Sequence, residues 1–262
     1  DDEKLSDVVR GGGKGLTVQF GAKNVLIERV VARDCDIGLS IEGKHTRNGF
    51  VREVTVKRFE ANHCSLMAAY LSGSYKAETY GTASQAVITD FAAINCADGN
   101  LFRTSNPVAA ELGVITCSAA SNIRFQGIVR NQGRREGNQI TLIRGSHRDC
   151  QFELSVETPR IRDLVNAQPA PISKQSKSSS KDNRYLIDVF LSANKAFPLV
   201  GYLFREAEFQ LGRFEAHVVV RGRSISKLPL PERIANSNGF DGRGLVQNMH
   251  DGQSYQLRSY AR

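Results

Sequence analysis

Three stretches of the chain superpose without a gap: residues 25–35 (VLIERVVARDC), 54–64 (VTVKRFEANHC) and 86–96 (AVITDFAAINC). A repeat at this interval constrains the fold more than any composition does. A unit this short cannot bury its own apolar face and must stack on its copies. Ile27, Val56 and Ile88 form one column, and Val30, Phe59 and Phe91 the next. Ala32, Ala61 and Ala93 follow, then the polar Asp34, His63 and Asn95, then Cys35, Cys64 and Cys96. A looser fourth copy aligns Ile123, Phe125 and Ile128 with the first columns and puts Gly133 where cysteine would stand. The intervals from Val30 through Phe59 and Phe91 to Ile128 are then 29, 32 and 37 residues.

Inside each unit, two alternating pieces are separated by a break in phase. Val25 and Ile27 alternate, two residues intervene, and Val30 and Ala32 alternate again. A flat strand carrying that pattern would turn its second apolar pair to solvent. A sharp bend at Glu28-Arg29 repairs the phase, so one strand is expected to end there and another to begin. A third piece follows the cysteine: Ile37, Leu39 and Ile41 in the first copy, Leu66, Ala68 and Tyr70 in the second. Three short strands per roughly 30 residues describe one coil of a β-solenoid. Helical repeats fit worse, because the units are β-branched, their lengths vary, and the chain holds 23 glycines. At that repeat the 262 residues make one solenoid of some seven or eight coils plus a cap.

Composition narrows the setting. Hydrophobic residues at 40% and charged residues at 24% support a folded core. The longest apolar run, residues 197–204 (FPLVGYLF), is too short to span a bilayer, and no membrane partner is expected. The opening Asp-Asp-Glu-Lys lacks the features of an export signal. The five cysteines are scattered without a CxxC, which argues against a zinc cluster or disulfide scaffold. Three of them form the repeat column, as stacked thiols in a coil interior and not as metal ligands. Free thiols suit assembly in a reducing compartment. Thirty-five Lys+Arg against 27 Asp+Glu leave a net charge of +8, which favours anionic partners. No helix-turn-helix, RNP or OB pattern accompanies the charge, so nucleic acid is not the expected partner.

The order Val-x-Ile-x-x-Val-x-Ala-x-Asp-Cys-x-x-Gly-Leu from Val25 to Leu39 resembles the coil consensus of right-handed parallel β-helices. These include pectate-lyase-like proteins, polygalacturonases, and the tailspikes and appendages of bacteriophages. The resemblance runs over residues 12–220 and implies an all-β, right-handed parallel β-helix with irregular loops. One departure is the bend column, often an asparagine ladder in that superfamily, which reads Arg29, Arg58 and Asp90 here. Arg58 and Asp90 are placed to pair across coils. The hydrolase signatures Asn-Thr-Asp, Gly-His-Gly and Arg-Ile-Lys are missing from the coils, and Gly145-Ser146-His147 lacks the second glycine. The Asp-Pro-His of alginate epimerases is absent too.

Remaining candidates are few. If the chain is an enzyme, the resemblance implies a polysaccharide lyase or glycoside hydrolase. Asp34, Asp36 and Asp98 come nearest to a calcium set, but Ca²⁺ takes about 6–8 oxygen ligands, so no cofactor is expected. Asp36 and Asp98 are the candidate carboxyls for hydrolysis, and His63 the candidate acid or base. His63 also reads as an ordinary member of a polar turn column. The glycine run Gly11-Gly12-Gly13-Lys14-Gly15 precedes a strand and has no Walker spacing, so it reads as a turn into the first coil. Loops carrying Tyr75 and Tyr80, and Arg134 and Arg135, have the chemistry to stack on sugars and bind acidic glycans. Coils continue at Phe152-Leu154-Val156, Tyr185-Ile187-Val189 and Ala216-Val218-Val220.

The expected organisation is an N-terminal lead-in or cap at 1–20, a solenoid at 21–226, and a C-terminal exit or cap at 227–262. Residues 168–183, rich in Ser and Lys, form a flexible insertion in the solenoid. The terminal SYQLRSYAR is expected to cap the solenoid or pair with a partner chain. The leading functional expectation is a β-helical module of a phage tailspike-like or virion-appendage protein that engages, and in one version degrades, acidic cell-surface polysaccharide. Its assembly would be a homotrimer or larger virion structure, located in the virion or, alternatively, secreted. The competing expectations are a purely structural shaft or trimerisation component and a bacterial polysaccharide lyase or epimerase.

Overall fold

The computed structural model describes residues 13–43, 51–73, 85–97, 113–131, 140–158, 161–167, 183–191, 204–206, 214–222, 247–249 and 254–260. Strands come in pairs along the chain. The first coils are β1 (Lys14–Gln19) with β2 (Lys23–Arg33), β3 (Ile37–Glu42) with β4 (Arg52–Asn62), and β5 (Met67–Ser72) with β6 (Ala86–Ile94). Then follow β7 (Ile115–Ser121) with β8 (Ile123–Arg130), and β9 (Ile140–Arg148) with β10 (Gln151–Thr158). The later pairs are β11 (Ile161–Ala167) with β12 (Asn183–Leu191) and β13 (Phe204–Glu206) with β14 (Phe214–Gly222), before β15 (Gln247–Met249) and β16 (Ser254–Tyr260).

Alternate strands build two sheets. Odd-numbered strands from β1 to β13 form a seven-stranded sheet in simple order. Even-numbered strands from β2 to β14 form the other, which ends on β16 and β15 as its eighth and ninth strands. Every pairing from β1 to β14 is parallel between strands one coil apart. The molecule is a parallel β-solenoid, with no helix among the described residues. β16 reverses direction and pairs antiparallel with β14, so the parallel stacking stops there.

The repeat columns are the register of the long sheet. Val56 faces Ile27 and Ile88, Phe59 faces Val30 and Phe91, and Ala61 faces Ala32 and Ala93. The bend does not split the strand, although the break in phase suggests it. β2 and β4 each run through 11 residues. A single left-handed residue in mid-strand resets the alternation: Arg29 (φ 56°), Arg58 (φ 54°) and Asp90 (φ 52°). Its neighbours keep their pairing, Glu28 with Lys57 and Val30 with Phe59, so the ladder survives the kink. Left-handed residues also turn the corners at either end. Asn24 and Glu53 stand at the second position of β2 and β4, and Gln85, Asn122 and Asp149 just before β6, β8 and β10. The polar column Asp34, His63 and Asn95 stands just after β2, β4 and β6.

The fourth unit differs from its sequence alignment. The register slips between Ile88 and Phe91, placing Gly127, not Ile128, opposite Phe91. The bend residue is thereby lost from β8, and β10 alternates without interruption. A Cβ on Gly127 would lie 2.4 Å from the Phe91 carbonyl oxygen, so only glycine lets the backbones approach at the slip. Ile128 is left outside the core. Gly133 lies outside the described residues.

An aromatic column threads the interior. Ring centroids of Phe59 and Phe91 are 5.5 Å apart, Phe91 and Phe125 4.9 Å, Phe125 and Phe152 6.2 Å, and Phe152 and Tyr185 5.6 Å. Two buried asparagines tie coils through the main chain. Asn131 accepts from Cys96 N (3.1 Å) and donates to Cys96 O (2.8 Å). Asn183 accepts from Cys150 N (3.1 Å) and donates to His147 O (3.0 Å). Each meets backbone groups that burial would otherwise leave unsatisfied.

Candidate functional site

The long sheet turns alternate residues outward, and their identity changes along the solenoid. On the first coils the charges pair: Lys57 with Glu28 (3.7 Å), Arg58 with Glu28 (4.0 Å) and Arg33 with Glu60 (3.9 Å). Arg58 therefore takes Glu28 in the coil before it, and not the Asp90 of the coil after it that the sequence suggests. Asp90 and Glu153 have no hydrogen-bond or ion-pair partner among the described residues. Both line an open groove of about 480 Å³ on the outer face of the long sheet. That volume falls in the range of about 300–1,000 Å³ found for ligand clefts.

The groove lies where the bend column ends. Asp90, the last bend residue, and Ala92 stand on β6; Gln126 and Ile128 come from β8; Glu153 and Ser155 from β10; Leu186 and Asp188 from β12. It therefore crosses four neighbouring strands, about 14 Å at a spacing of ~4.8 Å. The register sets Leu186 opposite Glu153 and Asp188 opposite Ser155. The backbones of Glu153 and Asp188 are thus diagonal neighbours, roughly 8 Å apart by strand spacing and rise. Ile128 and Leu186, 40% and 47% exposed, supply apolar surface between the carboxylates.

These residues were readable from alternation. The run QFELSVET puts Glu153 outward once Phe152, Leu154 and Val156 are inward, and NRYLIDVFL does the same for Asp188. What the sequence hides is the slip at Phe91, which sets the floor of the groove.

Of the candidates named from sequence, Asp34, Asp36 and His63 fall on described residues, Asp34 as a left-handed corner residue. The Asp36 carboxylate accepts the Ser65 hydroxyl at 2.6 Å, and its amide donates to Gly13 O at 2.8 Å, so it ties neighbouring coils at a turn. His63 sits half-buried in its left-handed corner, Nε2 3.4 Å from Asn95 Nδ2 in the next coil. None of the three lines the groove. Asp98, Tyr75, Tyr80, Arg134, Arg135 and the 168–182 insertion lie outside the described residues. Among the described residues no group of three or more His, Cys, Asp or Glu is placed to hold a metal ion.

The other titratable groups are interior. All five cysteines are free, and all but the half-buried Cys35 are buried. The Cys96 thiol bonds to the Cys64 sulfur, which raises its own pKa and lowers that of Cys64. Burial pushes Cys150 up to about 12 and Cys117 well above the usual range. His147 donates from Nδ1 to Gly145 O at 2.9 Å, which fixes the tautomer, so Nε2 accepts from the Tyr185 hydroxyl. Burial lowers its pKa to about 4, against a smaller opposing effect of the Gly145 carbonyl.

The architecture and groove define the chain as a parallel β-solenoid with an outward-facing, carboxylate-bearing cleft. Comparison with protein-family models, with curated proteins and with solved structures returns no significant match.

Proposed function

We propose that this chain is the β-helical recognition module of a bacteriophage tailspike-like or virion-appendage protein, and that it holds cell-surface polysaccharide along the outer face of its long sheet. The observation that carries this reading is the groove across β6, β8, β10 and β12. It is elongated and solvent-open, and it alternates apolar with hydrogen-bonding side chains. A chain of sugars needs those features, since pyranose rings present apolar faces between rims of hydroxyls. The resemblance of residues 25–39 to pectate-lyase-like coils supports the same class. The acidic polymer expected from the net charge finds its basic groups outside the groove, whose lining contains no Lys or Arg.

The test is a glycan array with the purified chain, followed by calorimetry on the polymers retained. Binding that Leu186→Ser and Glu153→Gln weaken supports the groove. Retention of no polysaccharide overturns the proposal. A hydrolytic version assigns the two carboxyl roles to Glu153 and Asp188, diagonal neighbours that line the same groove. It predicts oligosaccharide release by the wild type that Asp188→Asn abolishes.

A second reading, a structural shaft that associates with copies of itself, is favoured by a different observation. Leu26, Val31, Val87, Ile128, Leu186 and Phe190 are exposed, and all six lie on the outward side of the long sheet. Large apolar side chains gathered on one face mark an association surface.

A further inference from the structure

We propose that the groove selects a polysaccharide whose sugars carry free amino groups. This rests on the reading of the groove as a glycan site and names the chemistry it takes. The lining contributes three carboxylates, Asp90, Glu153 and Asp188, and no cation. The chain as a whole is +8, so this local sign runs against the molecule and is set by the residues that face the groove. Elsewhere on the same face, carboxylates are matched by Lys57, Arg33 and Arg130. Arg124 and Arg184 flank the groove one column away and stand outside its lining.

Charge complementarity then decides between classes of glycan. A uronic-acid polymer would bring like charges against Glu153 and Asp188, and juxtaposed like charges oppose association. A neutral polymer would satisfy Gln126 and Ser155 but leave the carboxylates facing hydroxyls alone. A polymer of protonated hexosamines places ammonium groups beside Asp90 and Glu153, which lack partners among the described residues, while ring faces rest on Ile128 and Leu186. Asp90 stands on β6, two strands from Glu153 on β10, and Asp188 follows on β12, so cations spaced along a sugar chain that crosses the strands meet them in turn.

The experiment uses the whole chain and three oligosaccharides of equal length: glucosamine, N-acetylglucosamine and galacturonic acid. Calorimetry at mildly acidic pH, in low and high salt, measures binding. Variants are Glu153→Gln, Asp90→Asn and the pair together. Asp90→Asn keeps a residue that accepts the left-handed backbone, so the fold is undisturbed. The expected result is binding of the glucosamine oligomer that weakens with salt and falls about two- to fivefold in each single variant. Equal binding of the N-acetylated oligomer, or indifference to Glu153→Gln, overturns the inference. Preference for the galacturonate oligomer overturns it too and leaves the glycan reading standing. Binding of none of the three, together with an empty glycan array, removes both.

Discussion

One buried side chain that the repeat does not predict, His147, sets an acid response of the fold. Gly145-Ser146-His147 reads in sequence as a broken catalytic motif. In the fold His147 is 2% exposed, edge-on to Phe152 and Tyr185, and held neutral. An unfolded histidine takes up a proton near pH 6.5, whereas His147 resists until about 4. The unfolded state therefore binds more protons between those values, and stability falls as pH drops through them. The loss amounts to about 3 kcal/mol at the bottom of the window, from ~1.4 kcal/mol per unit. Urea unfolding at pH values across the window should show that slope, and His147→Gln should flatten it. An unchanged slope in the variant would assign acid sensitivity elsewhere. The thiols give a second residue-scale expectation. Native protein treated with an aromatic disulfide should react quickly at no site but half-buried Cys35, and all five thiols should appear after unfolding. Several fast thiols in the native state would contradict the buried column.

Within elements, the sequence was legible wherever one side chain meets its copy in the next coil. Ile88 under Val56 and Phe91 under Phe59 are visible as columns because parallel pairing repeats the same contact. The bend column was visible for the same reason, but its form was not. One left-handed residue and a strand break leave the same gap in alternation. The fourth unit misled because Ile128 is the better hydrophobe for the vacant column. Backbone register chose Gly127, while Phe125, opposite Ile88 as aligned, makes the ring contact with Phe91. Among the groove residues, Glu153 and Asp188 follow from alternation, whereas the placement of Asp90 beside them needs the slip. Two substitutions separate these causes. Phe91→Ala should cost about 3–5 kcal/mol, since it empties the column between Phe59 and Phe125. Gly127→Ala should cost about 1–3 kcal/mol through its clash with the Phe91 carbonyl. Leu186→Ser, on the outer face, should leave chemical denaturation nearly unmoved. If Gly127→Ala proved neutral, the close approach of β6 and β8 would be wrong.

Across the whole molecule, coils pack on their neighbours, so stability accumulates pair by pair along one continuous core. That arrangement leaves one continuous outer face on the long sheet, and two uses compete for it. If it holds glycan, Ile128 and Leu186 must stay in solvent until a sugar arrives. If it holds a second copy, the apolar residues from Leu26 to Phe190 are covered in the assembly and the groove closes. The free mass decides. Light scattering at micromolar concentration should give either the 28.8 kDa chain or a multiple of it. A multiple that Leu186→Arg with Phe190→Arg returns to monomer would place the interface on this face. The same double variant should still unfold cooperatively, because neither side chain enters the interior column. An assembly untouched by the double variant would leave this face open to glycan and overturn its role as the interface between copies.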